Sequence, residues 1–159
     1  MRVGVGYDSH RFAPGRRLVL GGVAVPFERG LAGHSDGDVA AHAVADALLG
    51  AAALGDLGQH FPPDDPAWRD ANSLDLLAAV GRMLAGRGLA ARNVDVTVVC
   101  EAPRLAPHIP EMRERLAAAL GLPVGAVSVK AKSNEGMGWV GRGEGIAAVA
   151  VALVGPAPG

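Results

Sequence analysis

The chain has 159 residues, half of them hydrophobic and 19% charged, with 15 basic against 16 acidic residues and a formal net charge of -1. That length suffices for one buried core, and the even charge argues against a generic nucleic-acid binder, which concentrates basic residues on its surface. The longest apolar stretches, 40–54 and 146–154, are too short for a bilayer or are broken by His42 and Asp46, and a charged Asp8 comes too early for a secretory signal, so no membrane is expected and the cytoplasm is the expected location.

Residues 3–7 alternate apolar side chains with glycine and predict a strand, which continues in extended form through Asp8, Ser9 and His10. Residues 18–20 and 23–25 flank Gly21-Gly22, a hairpin signal because both glycines accept the positive φ of a primed turn. Ser35 or Asp36 caps a predicted helix over residues 38–54, stopped by Gly55. Asn72 caps a second helix over 74–85, and Asp75 suits its positive end. A β-branched alternation predicts a strand over 93–100, Pro110 opens a helix over 110–120 that Gly121 closes, and 127–132 and 143–154 read as two further strands. The order describes an α/β fold, a mixed β-sheet with helices packed on one face, in one domain over 1–154 with 155–159 as a disordered tail. Several strands are apolar on both faces, so self-association is expected to cover the face without helices. The single Cys100 excludes an intramolecular disulfide framework.

Asp8 and His10 lie two apart on an extended segment, so both side chains leave one face, roughly 7 Å apart, a span that one ion can bridge. His42 sits among Ala40, Ala41 and Ala43 on the following helix, where it has no evident packing role. Two imidazoles and a carboxylate with one open position match a catalytic zinc site, provided strand and helix meet; an isolated histidine is otherwise an ordinary, partly buried residue. Asp38 and Asp46, a turn before and after His42, are the candidate acceptors behind it.

Two loops carry anion-binding chemistry. Gly33-His34-Ser35-Asp36-Gly37-Asp38 either caps the helix that follows or docks a phosphate on its first amides. Lys132-Ser133-Asn134-Glu135 and the glycines up to Gly145 allow close backbone approach to an anion, with Lys132 and Arg142 adding charge and Glu135 a ligand for a hard cation such as magnesium. Neither a Walker loop nor a dinucleotide fingerprint is present.

Asp8-Ser9-His10, His34-Ser35-Asp36-Gly37-Asp38 with His42, the run 47–56 and Gly141-Arg142-Gly143-Glu144-Gly145 together resemble the 2-C-methyl-D-erythritol 2,4-cyclodiphosphate synthase family over essentially the whole chain. The resemblance implies a homotrimer with the sheets of three subunits facing a central axis and active sites between subunits. It places Zn2+ on Asp8, His10 and His42, and Mg2+ or Mn2+ on Glu135 with the substrate phosphates. It makes His34 and Ser133 the catalytic residues that stabilise the transition state, and His34 and Ser35 the loop that positions phosphates. Asp56, Leu57 and Gly58, with Phe61, Pro62, Pro63, Asp64 and Asp65, match segments against the methylerythritol part. Cys100, Glu101, Ala102 and Pro103, followed by Arg104, Leu105 and Ala106, match the loop that receives cytidine through backbone groups. Asp8, Ser9, His10, Lys132, Ser133, Asn134 and Glu135 fall at further substrate positions, and Trp139 and Arg142 near the axis and the diphosphate, where an isoprenoid diphosphate is a further expected ligand of the axial cavity. Lys132-Ser133 stands where the family often has two threonines, and Trp139 where phenylalanine is commoner.

The implied reaction converts 4-CDP-2-C-methyl-D-erythritol 2-phosphate to the 2,4-cyclodiphosphate and CMP, in the non-mevalonate route to isoprenoid precursors. Two rival readings use the same residues: a zinc phosphodiesterase with water as nucleophile, and a trimer that binds isoprenoid diphosphates through Arg142 as a sensor.

Overall fold

In the computed structural model, which describes residues 1–158, β1 spans Arg2–Ala13, β2 Leu18–Leu20 and β3 Val23–Val25. Gly21 and Gly22 join β2 to β3 at φ of 56° and 76°, the primed turn that their pairing demands. β4 is a two-residue strand, Gly30–Leu31. α1 (Val39–Ala51) is capped by Asp38, not by Ser35 or Asp36. The reason is tertiary: the buried Asp38 carboxylate accepts the N–H groups of Ala40 and Ala41 at 3.1 and 3.0 Å and those of Gly21 and Gly22 at 2.8 and 2.7 Å, which ties the hairpin to the helix. The helix stops short of Leu54 because Ala53 takes the left-handed conformation, and the Leu54 N–H returns to the Leu49 carbonyl at 2.9 Å.

The single turn α2 (Leu57–His60) starts from Asp56 in a stretch with no predicted element. α3 (Ser73–Ala85) begins as expected after Asn72, whose side chain accepts the Leu74 N–H. β5 (Leu89–Val99), α4 (Ile109–Leu120), β6 (Val127–Lys132), the short α5 (Gly138–Gly141) and β7 (Gly145–Pro156) complete the order. The expected tail is corrected at its start, since Gly155 and Pro156 pair with Ala90 and Leu89 in the sheet; Gly159 lies outside the described residues.

β1 pairs antiparallel with β4 and β7, β7 antiparallel with β5, and β5 parallel with β6, giving a mixed sheet of order β4-β1-β7-β5-β6. α1 packs on β1 and β7, with α3 beside it and α4 beyond α3 against β6, so the core lies between helices and one sheet face. α1 can lie directly on β1 only because Gly4 and Gly6 have no side chain: a Cβ on either would stand 2.0 Å from a helix carbonyl, of Ala47 or Ala43 respectively. The two-residue period of a strand puts Asp8 and His10 on the same inner face as those glycines. The helix that rests on the glycines therefore brings His42, next to Ala43, over Asp8. On the opposite face Val3 and Val5 are 68% exposed and Tyr7 56%, beside exposed Val149 and Val151.

Candidate active site

The Asp8 Oδ2 atom lies 3.0 Å from His10 Nε2 and 3.0 Å from His42 Nδ1. The two rings stand 5.6 Å apart at 61°, and one donor atom from each of the three residues falls within 4.8 Å of the others. Strand and helix do meet, as the three-residue reading required. Burial raises the Asp8 carboxyl, but hydrogen bonds and charge from His10 and His42 more than reverse it and hold it at about 2. For His42, burial opposes the charged form, and the Asp8 carboxylate outweighs it and raises the pKa. A carboxylate can only accept hydrogen bonds, so an oxygen facing two ring nitrogens at such distances calls for protons or a cation between them. Two nitrogens and one oxygen converging from a half-buried cleft wall fit a zinc-like divalent cation.

The residues behind His42 differ from expectation. Asp38 is occupied by the hairpin and helix amides described above, and Asp46 accepts the Leu57 N–H at 2.7 Å. His42 Nε2 instead meets Ser73 Oγ at 2.8 Å and Ser35 Oγ at 3.2 Å. Ser73 carries no sequence signal beyond following the Asn72 cap, because its 31-residue separation from His42 is closed only by the packing of α3 on α1.

The cluster opens into a cleft of about 400 Å³ lined by Asp8, His10, His34, Ser35, His42, Asp56, Leu57, Gly58, Phe61 and Pro63, all but His42 also expected substrate contacts. Asp46, Trp68 and Leu76 line it as well, and sequence reasoning did not place them there. Trp68 packs edge-on against Phe61, with ring centroids 4.9 Å apart, so the apolar wall is built by tertiary contact. His34 Nε2 donates to the Asp65 carbonyl at 3.1 Å, which clips the 33–38 loop to the 61–65 segment; Pro62, Asp64 and Asp65 flank the cleft without lining it. Arg16 holds the same loop from outside, donating to the carbonyls of Gly33 at 3.1 Å and Ser35 at 2.5 Å.

A second group of expected residues forms away from this cleft. The Cys100 N–H bonds the Lys132 carbonyl at 2.9 Å, and Glu101 Oε1 accepts the N–H of Asn134 at 2.7 Å, so the 100–106 and 132–138 loops are latched together. Glu135 sits in the left-handed region, and Ser133 Oγ donates to its carboxylate at 3.2 Å. Ala102, Arg104 and Ala106 are exposed, Pro103 is half-buried and Leu105 is buried in the core, while burial and then the Glu101 charge push the Cys100 thiol up to about 11. The register row Asp8–Ala148–Val98–Ala131 puts both groups at the same end of the sheet, roughly 10–15 Å apart across two or three strand spacings. Ser9 is exposed and lines a separate, smaller pocket with His10, Arg11, Trp139 and Glu144, and Arg142 is exposed, paired with Glu144 at 2.6 Å.

A mixed sheet covered on one face by helices, with an Asp-His-His cluster in the wall of a largely apolar cleft, defines an α/β protein with a candidate metal centre. The YgbB family profile matches residues 1–155, and the chain belongs to that family. It is 62% identical over 154 residues to the 2-C-methyl-D-erythritol 2,4-cyclodiphosphate synthase of Symbiobacterium thermophilum, covering 97% of this chain and 98% of that one. It is 54% identical over the full length of both chains to the synthase of the same name from Alkaliphilus metalliredigens. Among solved structures, a CDP-bound 2C-methyl-D-erythritol-2,4-cyclodiphosphate synthase matches with a TM-score of 0.88 at 36% identity, over 97% of this chain and 100% of that one. The bifunctional IspDF from Campylobacter jejuni matches with a TM-score of 0.93 at 37% identity, over 96% of this chain and 42% of that one.

Proposed function

We propose that the chain works as its relatives are named: it is an enzyme that converts 4-CDP-2-C-methyl-D-erythritol 2-phosphate to 2-C-methyl-D-erythritol 2,4-cyclodiphosphate and CMP, a step toward isoprenoid precursors. The observation that carries this reading is the convergence of Asp8, His10 and His42 on one point in the wall of the cleft. The CDP-bound neighbour supports a cytidine diphosphate substrate.

In this reaction an oxygen of the 2-phosphate attacks the β-phosphorus, the bond from that phosphorus to the oxygen shared with the α-phosphorus breaks, and that oxygen leaves with CMP. No water is consumed and no side chain becomes bonded to phosphorus, so the work of the site is to bring two anions together in line. Zinc on Asp8, His10 and His42, and magnesium or manganese on the exposed Glu135 with substrate phosphates, supply charge neutralisation and Lewis-acid polarisation when bound. Ser35 and His34 position phosphates from the loop that Arg16 and Asp65 hold, and His34 and Ser133 donate hydrogen bonds to charge that develops at phosphorus. Phe61, Pro63, Trp68 and Leu76 give the cleft an apolar wall for the methyl-bearing carbon chain and exclude water. Backbone groups of 100–106 receive the cytidine, and Lys132 and Arg142 add charge near the diphosphate.

The chain acts as a homotrimer with its sheets facing the axis. Exposed Val3, Val5, Tyr7, Val149 and Val151 support this, because an apolar sheet face of that extent seeks a partner. The division of the expected site residues into two groups that line no common cleft supports active sites between subunits, with a neighbour supplying the second group. Arg142, near the axis, suits an isoprenoid diphosphate there.

The test is His42→Ala, measured for bound zinc and for CMP release by chromatography. Loss of both is expected; full zinc content with full CMP release would end the reading.

A further inference from the structure

His42 has two ring nitrogens, and the metal reading uses only Nδ1, which points at Asp8. Nε2 points the other way, into the packing between α1 and α3, where it meets the Ser73 hydroxyl at 2.8 Å. Ser73 is 1% exposed and is the first residue of α3. Its hydroxyl in turn bonds Asp36 Oδ1, and its backbone N–H donates to Asp36 Oδ2 at 3.0 Å, so one carboxylate grips Ser73 at two points.

Donor accounting fixes the direction of this chain. An ionised carboxylate only accepts, and a serine hydroxyl has a single proton, so that proton goes to Asp36. The Ser73 oxygen then presents a lone pair to His42, which satisfies Nε2 only when Nε2 carries hydrogen. A neutral imidazole with its proton on Nε2 has a bare Nδ1, and that lone pair is aimed at the point where Asp8 and His10 converge. Ser35 Oγ lies farther from Nε2, at 3.2 Å, and also receives the Gly37 N–H at 3.3 Å, so it is the weaker of the two hydroxyl partners.

We propose that Ser73, held by Asp36, is a positioning residue that fixes the tautomer and ring orientation of His42 so that Nδ1 is the metal-binding nitrogen. The inference rests on the reading of Asp8, His10 and His42 as a metal site and adds to it a residue from a different helix. It gives α3 a part in the chemistry: the helix that walls the cleft also sets the ligand behind the cation.

The test uses zinc alone as the probe, by competition titration against a chromophoric chelator, with no turnover involved. Ser73→Ala should weaken zinc binding by roughly tenfold or more, the range for loss of a partner behind a metal-ligating histidine, with Ser35 left as a partial substitute. Asp36→Asn should weaken it in the same direction, and Ser73→Thr, which keeps the hydroxyl, should restore most of the affinity. Asn72→Ala removes the cap of the same helix without touching His42, and should lower the melting temperature while leaving zinc affinity unchanged. In nitrogen-15 spectra of the zinc-loaded protein, His42 Nε2 should carry a proton protected from exchange, and Ser73→Ala should lose that protection. Unchanged affinity and an unchanged Nε2 proton in a folded Ser73→Ala protein overturn the inference while the metal site stands. If the wild type and His42→Ala bind zinc equally, the metal reading itself fails and the role of Ser73 falls with it.

Discussion

Replacing Gly6 by alanine should unseat the Asp8, His10 and His42 cluster without altering any of the three residues. The new Cβ would stand 2.0 Å from the Ala43 carbonyl oxygen and 2.7 Å from the Ala47 nitrogen, both of them backbone atoms of α1. Ordinary contacts for a methyl carbon are about 3.5 Å, so helix and strand must separate by about 1 Å or more. His42 is bonded in sequence to Ala43 and meets Asp8 at 3.0 Å, a distance that such a displacement carries past the hydrogen-bonding range. Forcing a methyl group into packed backbone costs about 1–3 kcal/mol, which for a domain of this size lowers the melting temperature by roughly 2–12 °C. Zinc affinity should fall by at least about tenfold, because Asp8 and His10 on β1 no longer meet His42 on α1, as the proposed metal site requires. Gly125→Ala is the control, since a Cβ there meets no atom within 4 Å and should change stability by less than about 0.5 kcal/mol. Calorimetry and chelator competition on the three proteins decide it. A Gly6→Ala protein with the melting temperature and zinc affinity of the wild type would refute the view that the glycine-seated helix places His42.

Asp38→Ala strips the acceptor from four N–H groups in the hairpin and helix, and should cost about 3 kcal/mol or more by urea unfolding, with Asp38→Asn milder because one oxygen remains. Burial and then the Asp36 charge raise the Asp38 carboxyl above its ordinary 3.8 against the pull of those amides, so the folded state holds its proton more tightly than the unfolded. Wild-type stability relative to Asp38→Asn should therefore fall as pH rises from about 3.8 through the raised value, and a gap that widens with pH would contradict this. Asp95 behaves oppositely: its hydrogen bond with Lys130, at 2.6 Å, holds its carboxyl below 3.8. The small contribution of this exposed pair, at most about 1 kcal/mol, should be present above 3.8 and vanish as pH falls through the lowered value, read as convergence of wild type and Lys130→Met in acid. Val5→Asp, on the open sheet face, should break the proposed trimer, with light scattering giving the monomer mass; a trimer mass for this variant would place the interface elsewhere.

What the sequence shows well is whatever is decided within a few residues. Gly21-Gly22 specifies its turn by backbone sterics alone, Asn72 caps α3 through a bond two residues away, and β6 keeps its predicted limits because its alternation is local. The pairing of Asp8 with His10 is legible for the same reason, since period two puts them on one face. The rest depends on contacts between distant segments. Asp38 replaces Ser35 and Asp36 as cap because the hairpin amides claim it, and Ala53 ends α1 ahead of Gly55 in a position that glycine usually takes. β1 runs on to Ala13 because β7 and then β4 pair with it, and β7, which starts at Gly145 instead of residue 143, runs on to Pro156 because β5 pairs with its end. Ser73, Trp68 and Leu76 reach the site from a helix and a turn whose own patterns speak only of caps and core.

The central claim is that this cleft closes a ring by transfer between two phosphates of one molecule. Phosphorus-31 spectra of the metal-loaded protein, incubated with the cytidine diphosphate substrate in oxygen-18 water, test it most directly. The account predicts a cyclic diphosphate and CMP, with no solvent oxygen on any phosphorus; a linear phosphate product carrying oxygen-18 would contradict it.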